Sequence, residues 1–312
     1  MPFLTIFTPT YNREKLLPCL YNSLCKQTDK DFCWLIIDDG SQDNTKNLVK
    51  QWVLDNQIAI QYVYQNNGGK HVAHNHAVEL CETDLFFCVD SDDTLSDNAV
   101  SIIHSYWEKD KKSADKFMGY CTKRGGESNY INANSPYWPK ENTLVMTFEL
   151  GAKYHYKGET ALIWITKELK KYSFPIFPGE RFVTEIVLYF QFKKPMKVKN
   201  DIFYYFTYQP DGYTKSGFTL QIKNPIGTAI EKKVLNLFTD NFLTKLKGVI
   251  KYYGWIYCFH LKLDQIEKAF NAMHFENRRI SPALNLLGVF FGVPCGFLYR
   301  RKINISNEKQ GK

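Results

Sequence analysis

The chain has no C-x-x-C pair: its eight cysteines, at positions 19, 25, 33, 81, 88, 121, 258 and 295, are scattered, several of them inside apolar runs. That spacing excludes the usual zinc and redox patterns and leaves the thiols to pack as small hydrophobes in a reducing compartment. No basic stretch or long apolar segment precedes the strand-like run that starts at Phe3, so secretion is not expected. Internal repeats and low-complexity tracts are absent, which argues against an array or a linker. The pattern G-x-x-x-x-G-K-[ST] does not occur and no G-x-G-x-x-G follows the first strand, so phosphates are not held as in a P-loop or a dinucleotide fold.

What is present is ample for one large domain and an appendage: 312 residues, 44% hydrophobic and 23% charged. The aromatic share of 16% is high and suits core packing, sugar stacking or a membrane interface. The net charge of +8 would serve nucleic acid, anionic lipid or a phosphorylated ligand without choosing among them.

Periodicity gives an alternating first part. Phe3 to Thr8, Trp34 to Ile37, Ile58 to Tyr64 and Leu85 to Val89 are predicted strands, and Glu14 to Gln27, Thr45 to Asp55, His71 to Cys81 and Asn98 to Lys109 are predicted helices. Such units imply an α/β fold with a parallel sheet whose ligands gather at the carboxyl ends of the strands. A fifth strand is expected near Phe117 to Thr122, then a Gly-, Asn- and Pro-rich loop over Lys123 to Pro139 that reads as a lid. A strand at Ala161 to Ile165, a helix from Phe182 to Phe192 and an aromatic strand from Ile202 to Tyr208 follow. Beyond Asp211-Gly212 the periodicity turns helical, over Ile226 to Phe238, Phe242 to Tyr257 and Leu261 to His274. The expected organisation is 1–210 as the main domain, divided into 1–122 and 123–210, then a helical extension over 211–280 and an apolar, basic tail over 281–312. Within that tail Ala283 to Tyr299 is apolar and ends in Arg300-Arg301-Lys302, but its glycines and Pro294 weaken it as a straight span; an interfacial or re-entrant segment is expected, with a buried core helix as the alternative.

Chemistry-bearing residues fall at the strand ends. Phe87-Cys88-Val89-Asp90-Ser91-Asp92-Asp93 ends an apolar run in three carboxylates, hard oxygen donors suited to Mg²⁺ or Mn²⁺, although an acidic turn capping the next helix would use the same letters. Asp38-Asp39-Gly40-Ser41 allows close backbone approach and a carboxylate contact to a base or ribose, and equally makes a turn. Tyr11 offers a ring for stacking or for covering the sheet edge. Gly68-Gly69-Lys70 opens a helix whose free N–H groups and adjacent cation favour a diphosphate. His71, His74 and His76 match no zinc spacing and are expected to serve packing and polar contacts. Glu180 and Glu185 flank the start of a helix; the dipole accounts for one of them and leaves the other for proton abstraction from a hydroxyl.

In order and spacing, Phe7 to Arg13, Trp34 to Ser41, Asn67 to Lys70, Val89 to Asp93 and Gly179 to Glu185 together resemble the inverting family 2 glycosyltransferases of bacterial capsule, O-antigen and cell-wall synthesis, over residues 3 to 210. The resemblance implies the GT-A fold, a Rossmann-like, mixed but mainly parallel sheet flanked by helices, here with a C-terminal helical extension. It implies a nucleotide-sugar donor, UDP-linked, with Pro9, Tyr11 and Asp39 on the uracil, Lys70 facing the nucleotide, and Asp90 with Ser91 at the ribose or metal shell. Asp92 becomes the ligand of Mn²⁺ or Mg²⁺, and Glu185 the base, with Glu180 the second candidate. The family often carries Glu-Asp where this chain has Thr184-Glu185. Its processive motif Q-x-x-R-W is absent, so addition of one sugar or very few is expected. The apolar, basic tail suggests a place at the cytoplasmic face of the membrane, and from that location a polyprenyl-diphosphate-linked acceptor, or else a free glycan, is expected. A sugar-1-phosphate nucleotidyltransferase would need a Gly-rich basic loop after the first strand, where this chain has Thr8-Pro9-Thr10-Tyr11-Asn12. A non-catalytic basic module would cluster its Lys and Arg, which are spread here, so no nucleic-acid partner is expected.

Overall fold

The computed structural model describes residues 2–126, 137–207, 213–275 and 278–310; most of the expected lid and the Asp211-Gly212 junction lie outside them. Two units result, one made of Met1–Ser173 with Phe192–Gln209, the other of Phe174–Gln191 with Pro210–Lys312. The segment 174–191, which the sequence places in the main domain, thus packs with the helical part, and the extension and tail share one unit.

The first unit is built on β1 (Leu4–Thr10), β2 (Phe32–Asp38), β3 (Ile60–Tyr64), β4 (Leu85–Cys88), β5 (Thr94–Leu95), β6 (Gly119–Lys123), β7 (Gly125–Gly126), β8 (Leu144–Val145), β9 (Thr160–Ile165), β10 (Met196–Val198) and β11 (Tyr204–Phe206). Its helices are α1 (Leu17–Cys25), α2 (Thr45–Asp55), α3 (Lys70–Leu80), α4 (Ala99–Asp110), α5 (Glu149–Ala152) and α6 (Thr166–Leu169). The larger sheet has the order β3-β2-β1-β4-β9-β6-β10-β8. β1 pairs in parallel with β2 and β4, placing Leu4 opposite both Phe32 and Leu85. β1 and β2 are buried on both faces, which is why they read as nearly unbroken apolar and threonine runs rather than alternating ones. β9 departs from the parallel expectation. It runs antiparallel to β4 and to β6, which makes the sheet mixed rather than wholly parallel.

The core under α1 and α2 is aromatic, with Tyr21 stacked on Trp52 at 4.2 Å between ring centroids and Trp34 beside both. Trp34 Nε1 donates to Thr8 Oγ1 at 3.0 Å, so a threonine inside β1 satisfies the one polar atom of the indole. A second, three-stranded sheet has the order β5-β11-β7 and stands just beyond the end of β4.

The second unit contains α7 (Glu185–Tyr189), α8 (Tyr213–Lys223), α9 (Pro225–Leu237), α10 (Phe242–Phe259), α11 (Leu263–Asn271) and α12 (Pro282–Gln310). α7 is shorter than the expected Phe182 to Phe192. Thr184 is extended, with φ −69° and ψ 150°, and Arg181 N donates to Asn224 Oδ1 at 2.7 Å, which holds the entry out of helix. α9 starts on a proline, whose missing N–H is one of those a helix start cannot use. α10 is capped by Asn241, whose side chain accepts from Thr244 N.

Candidate active site

The carboxyl ends of β1, β2 and β4 and the start of α3 bring the strand-end motifs together. Two loops are stitched to each other: Asn12 N donates to Ser41 Oγ at 2.9 Å, Gln42 N to Asn12 Oδ1 at 2.7 Å, and Glu14 N to Asp43 Oδ2 at 3.0 Å. Gly40 adopts φ +88°, and a Cβ there would lie 3.0 Å from Asn67 N, so the turn after β2 and the loop before α3 approach as only a glycine allows. Tyr11 stands 45% exposed on this edge, a ring available from the solvent side, and Pro9 beside it is half-buried.

Asp39 is buried and accepts three hydrogen bonds, from Gln65 Nε2 at 2.7 Å, Gly68 N at 2.8 Å and Gly69 N at 2.8 Å. The anion at the amino end of α3 is therefore the chain's own carboxylate. His76 Nδ1 meets Gln65 Oε1 at 3.0 Å and fixes the amide that meets Asp39. Asp38 accepts from Ser41 N at 2.8 Å and Tyr62 Oη at 2.5 Å and is wholly internal. Lys70, read from the sequence as facing a diphosphate, has its Nζ 2.8 Å from Asp90 Oδ1, an ion pair at the edge of the sheet. His74 is edge-on to Phe7 and Phe86, and burial pulls it down to about 3, so it packs as a neutral ring.

The three carboxylates after β4 have unequal surroundings. Burial pushes Asp90 up, but Lys70 and Arg124 outweigh it and the net direction is downward. Asp93 is buried, accepts from Tyr204 Oη at 2.5 Å and Thr207 N at 3.2 Å, and is still pushed up to about 7 by burial and by Asp90. Asp92 is half-buried and raised by burial and by Asp90, with Arg13 and Lys70 too weak to reverse it. Ser91 between them is buried. Among the described residues no three His, Cys, Asp or Glu side chains form a ready-made metal cluster. The donor chemistry nevertheless suits a divalent cation: hard carboxylate oxygens within four positions, with the charged form of Asp92 disfavoured by burial and by Asp90.

Two members of this site escape sequence reading. Arg124, just past β6, lies 3.8 Å from Asp90 and 3.8 Å from Asp93 and stacks 4.0 Å over the ring of Tyr204. Tyr204, fully buried on β11, also accepts from Asp90 N at 3.1 Å. The only sequence signal for either was the aromatic run at Ile202 to Tyr208, whose partner no periodicity reveals.

Glu180 and Glu185 belong to the second unit. Glu180 Oε1 accepts from Ile226 N at 2.6 Å and its Oε2 from Gly227 N at 2.7 Å, so it caps α9 rather than its own helix. With both oxygens engaged by backbone, Glu180 is a strut, whereas Glu185 is the first residue of α7. Glu185 adds to the upward push that burial exerts on Glu231 of α9.

Residues 5–165 match the model of the family described as glycosyl transferase family 2. The chain is 31% identical over 166 residues to the chondroitin synthase of Escherichia coli, a match covering 53% of this chain and 23% of that protein. It is 34% identical over 107 residues to a teichoic acid poly(glycerol phosphate) polymerase of Staphylococcus epidermidis, covering 34% of this chain and 14% of that one. The chain spans less than half the length of the curated relatives it matches. Among solved structures it is similar to S. aureus TarS 1-349 in complex with UDP-GlcNAc, with TM-score 0.61 and 19% identity over 100% of this chain and 93% of that one. It is also similar to the mannosyltransferase PcManGT from Pyrobaculum calidifontis in complex with GDP-Man and Mn²⁺, with TM-score 0.52 and 14% identity over 96% and 87% of the two chains. At these identities the likeness carries the fold and nothing further.

Proposed function

Since the chain belongs to glycosyltransferase family 2 and has the GT-A fold, we propose that it transfers a sugar from a UDP-sugar to a hydroxyl of a growing surface glycan, with inversion at the anomeric carbon. The supporting observation is the gathering of Tyr11, Asp39, Lys70 and the carboxylates of 90–93 on one sheet edge, inside the matched region. Family membership sets the nucleotidyltransferase reading aside. The names of the relatives, a chondroitin synthase and a teichoic acid polymerase, favour capsule or cell-wall glycans as the product class.

In this reading Tyr11 stacks on the uracil against Pro9, and Asp39, already anchoring the Gly68-Gly69 loop, turns its remaining acceptor capacity to the base. Lys70 and Arg124 hold Asp90 ionised beside the ribose, with Ser91 next to it. Asp92, with Asp90 beside it, would hold Mn²⁺ or Mg²⁺, which when bound would offset charge on the departing diphosphate. Glu185 removes the proton from the acceptor hydroxyl as that oxygen attacks in line, and no covalent intermediate forms. The acceptor is a polyprenyl-diphosphate-linked or free glycan, and the enzyme works on the cytoplasmic face of the membrane.

The test is a panel of UDP-sugars incubated with the protein and Mn²⁺, with UDP release as the readout. At least one should be turned over, and Asp92→Asn should lose more than about a hundredfold in kcat with an unchanged melting temperature. Turnover confined to GDP- or dTDP-sugars would overturn the role of Asp39, full activity in Asp92→Asn would overturn the metal site, and a product of retained configuration would overturn inversion.

A further inference from the structure

α12 is packed inside out by the standards of a helix in water. The face it turns to α10 carries Gly288, Gly292 and Gly296, and the contact is backbone-close: a Cβ on Gly292 would lie 2.7 Å from Tyr253 Cβ and 2.9 Å from Gly254 N, and one on Gly296 would lie 2.6 Å from Tyr257 Cδ1. The large side chains point the other way. Leu286, Phe290, Phe291, Val293, Phe297 and Leu298 are all exposed, Phe290 to 74%, and only about a fifth of the apolar part of the helix is buried. Small residues inside and large apolar ones outside is the arrangement helices adopt in lipid, where close backbone packing rather than apolar burial holds them together.

The width of the outward face identifies what covers it. At 100° per residue these side chains and Val289 sweep about 200° of the helix circumference, whereas the seam for one partner helix is about half that. A second copy would leave most of the arc wet. No charged residue lies from Pro282 to Tyr299, and exposed cations bracket that stretch, Arg278 and Arg279 before it and Arg301 and Lys302 after it. This is charge complementarity to an anionic headgroup layer on both sides of an apolar segment. The companion helix α10 sets the orientation. It carries exposed Lys247 and Lys251, and Lys251 stands one turn before Gly254, where an added Cβ would lie 2.8 Å from Cys295 Cβ, well inside the apolar stretch of α12. A hairpin crossing the bilayer would bury that ammonium in hydrocarbon.

We propose that the α10–α12 hairpin lies in the plane of an anionic bilayer surface, with the outer arc of α12 among the acyl chains and the flanking arginines and lysines on the headgroup phosphates. The proposal deepens the membrane placement given above and is independent of glycosyl transfer. Its test is flotation of the full chain with vesicles of phosphatidylcholine alone or mixed with phosphatidylglycerol, so no activity is needed. The wild type should float with the anionic vesicles. F290D/F297D, two exposed positions whose replacement should leave the circular dichroism and melting temperature unchanged, should bind more than about tenfold more weakly. R301Q/K302Q should lose most of the preference for phosphatidylglycerol. Lys251 should remain open to a membrane-impermeant amine reagent in the vesicle-bound protein; its protection would overturn the in-plane orientation while leaving membrane attachment standing. A wild type that stays with the soluble fraction would overturn the proposal, as would a dimer that F290D/F297D converts to monomer without any change in flotation.

Discussion

Replacing Tyr204 by phenylalanine removes one oxygen from the centre of the acidic site and nothing else. That oxygen donates to Asp93 Oδ2 at 2.5 Å and accepts from Asp90 N at 3.1 Å, in a ring that is fully buried. A hydrogen bond to a buried charged group contributes about 1.5–3 kcal/mol, and the stranded Asp90 N–H adds about 1 kcal/mol, so the substitution should cost about 3 kcal/mol. Arg124 keeps its aromatic platform, since phenylalanine presents the same face at the same place. For a unit of this size each kcal/mol lowers the melting temperature by about 2–4 °C, which sets the expected fall at about 6–12 °C. Thermal denaturation at pH 7.5, with urea midpoints to check that the m-value is unchanged, reads the effect. Tyr205→Phe is the control: its hydroxyl is exposed and reaches only Ile202 O at 3.4 Å, so it should stay within about 0.5 kcal/mol. A Tyr204→Phe protein that melts within a degree of wild type would refute the idea that this hydroxyl holds the acidic turn together.

Glu180→Gln and Glu185→Gln should behave oppositely. The first sets an amide N–H against a backbone N–H at the start of α9, costing about 1–3 kcal/mol of stability with less than about a tenfold change in kcat, whereas the second should lower kcat by about a hundredfold or more at unchanged melting temperature; steady-state kinetics with parallel melting curves separate them, and equal effects on both would contradict the division of roles. Acid should destabilise the fold through His71 and His74, which burial pulls down to about 4 and about 3. Their native values lie below the ordinary 6.5, so the unfolded chain takes up protons the native state refuses once the pH drops below about 6.5. Stability then falls with falling pH, by up to about 2.7 kcal/mol per unit for the two rings together, and neither contributes above that pH. Urea midpoints at pH 7 and pH 5 test this; His74→Leu should remove about half of the slope, and equal midpoints in the wild type would refute it.

The strand ends could be read because each apolar run stops at a polar cluster, and in a sheet covered on both faces that change of composition has no other place to occur. β9 could not be oriented, because an apolar strand has the same letters in either direction and only the route of the chain decides. Lys70 shows a different limit. The sequence places a basic residue at a helix start, and only topology shows that Asp39 meets the backbone amides there and Asp90 the amine. Glu180 and Glu185 were indistinguishable by spacing, since what separates them is a pair of N–H groups some 46 positions further along. Arg124 and Tyr204 were invisible for the same reason: both act across the gap between the two sheets, and contacts of that range leave no local period.

These long-range partners decide how the acidic run works as a unit. Three carboxylates within four positions would repel one another strongly if they were equivalent. They are not. Asp93 is given donors, a hydroxyl and a backbone N–H, which fix its geometry without fully cancelling its charge. Asp90 is given cations, Lys70 and Arg124, which keep it ionised at the edge of the sheet. Arg124 touches both and is itself held flat on Tyr204, so one guanidinium couples the strut to the charged edge. Asp92, between them in sequence, is half-buried and is raised by burial and by the Asp90 charge, with Arg13 and Lys70 pulling the other way. The run thus holds its carboxylates in three different settings, and burial together with the Asp90 charge makes ionised Asp92 costly, a cost that a cation bound there would offset.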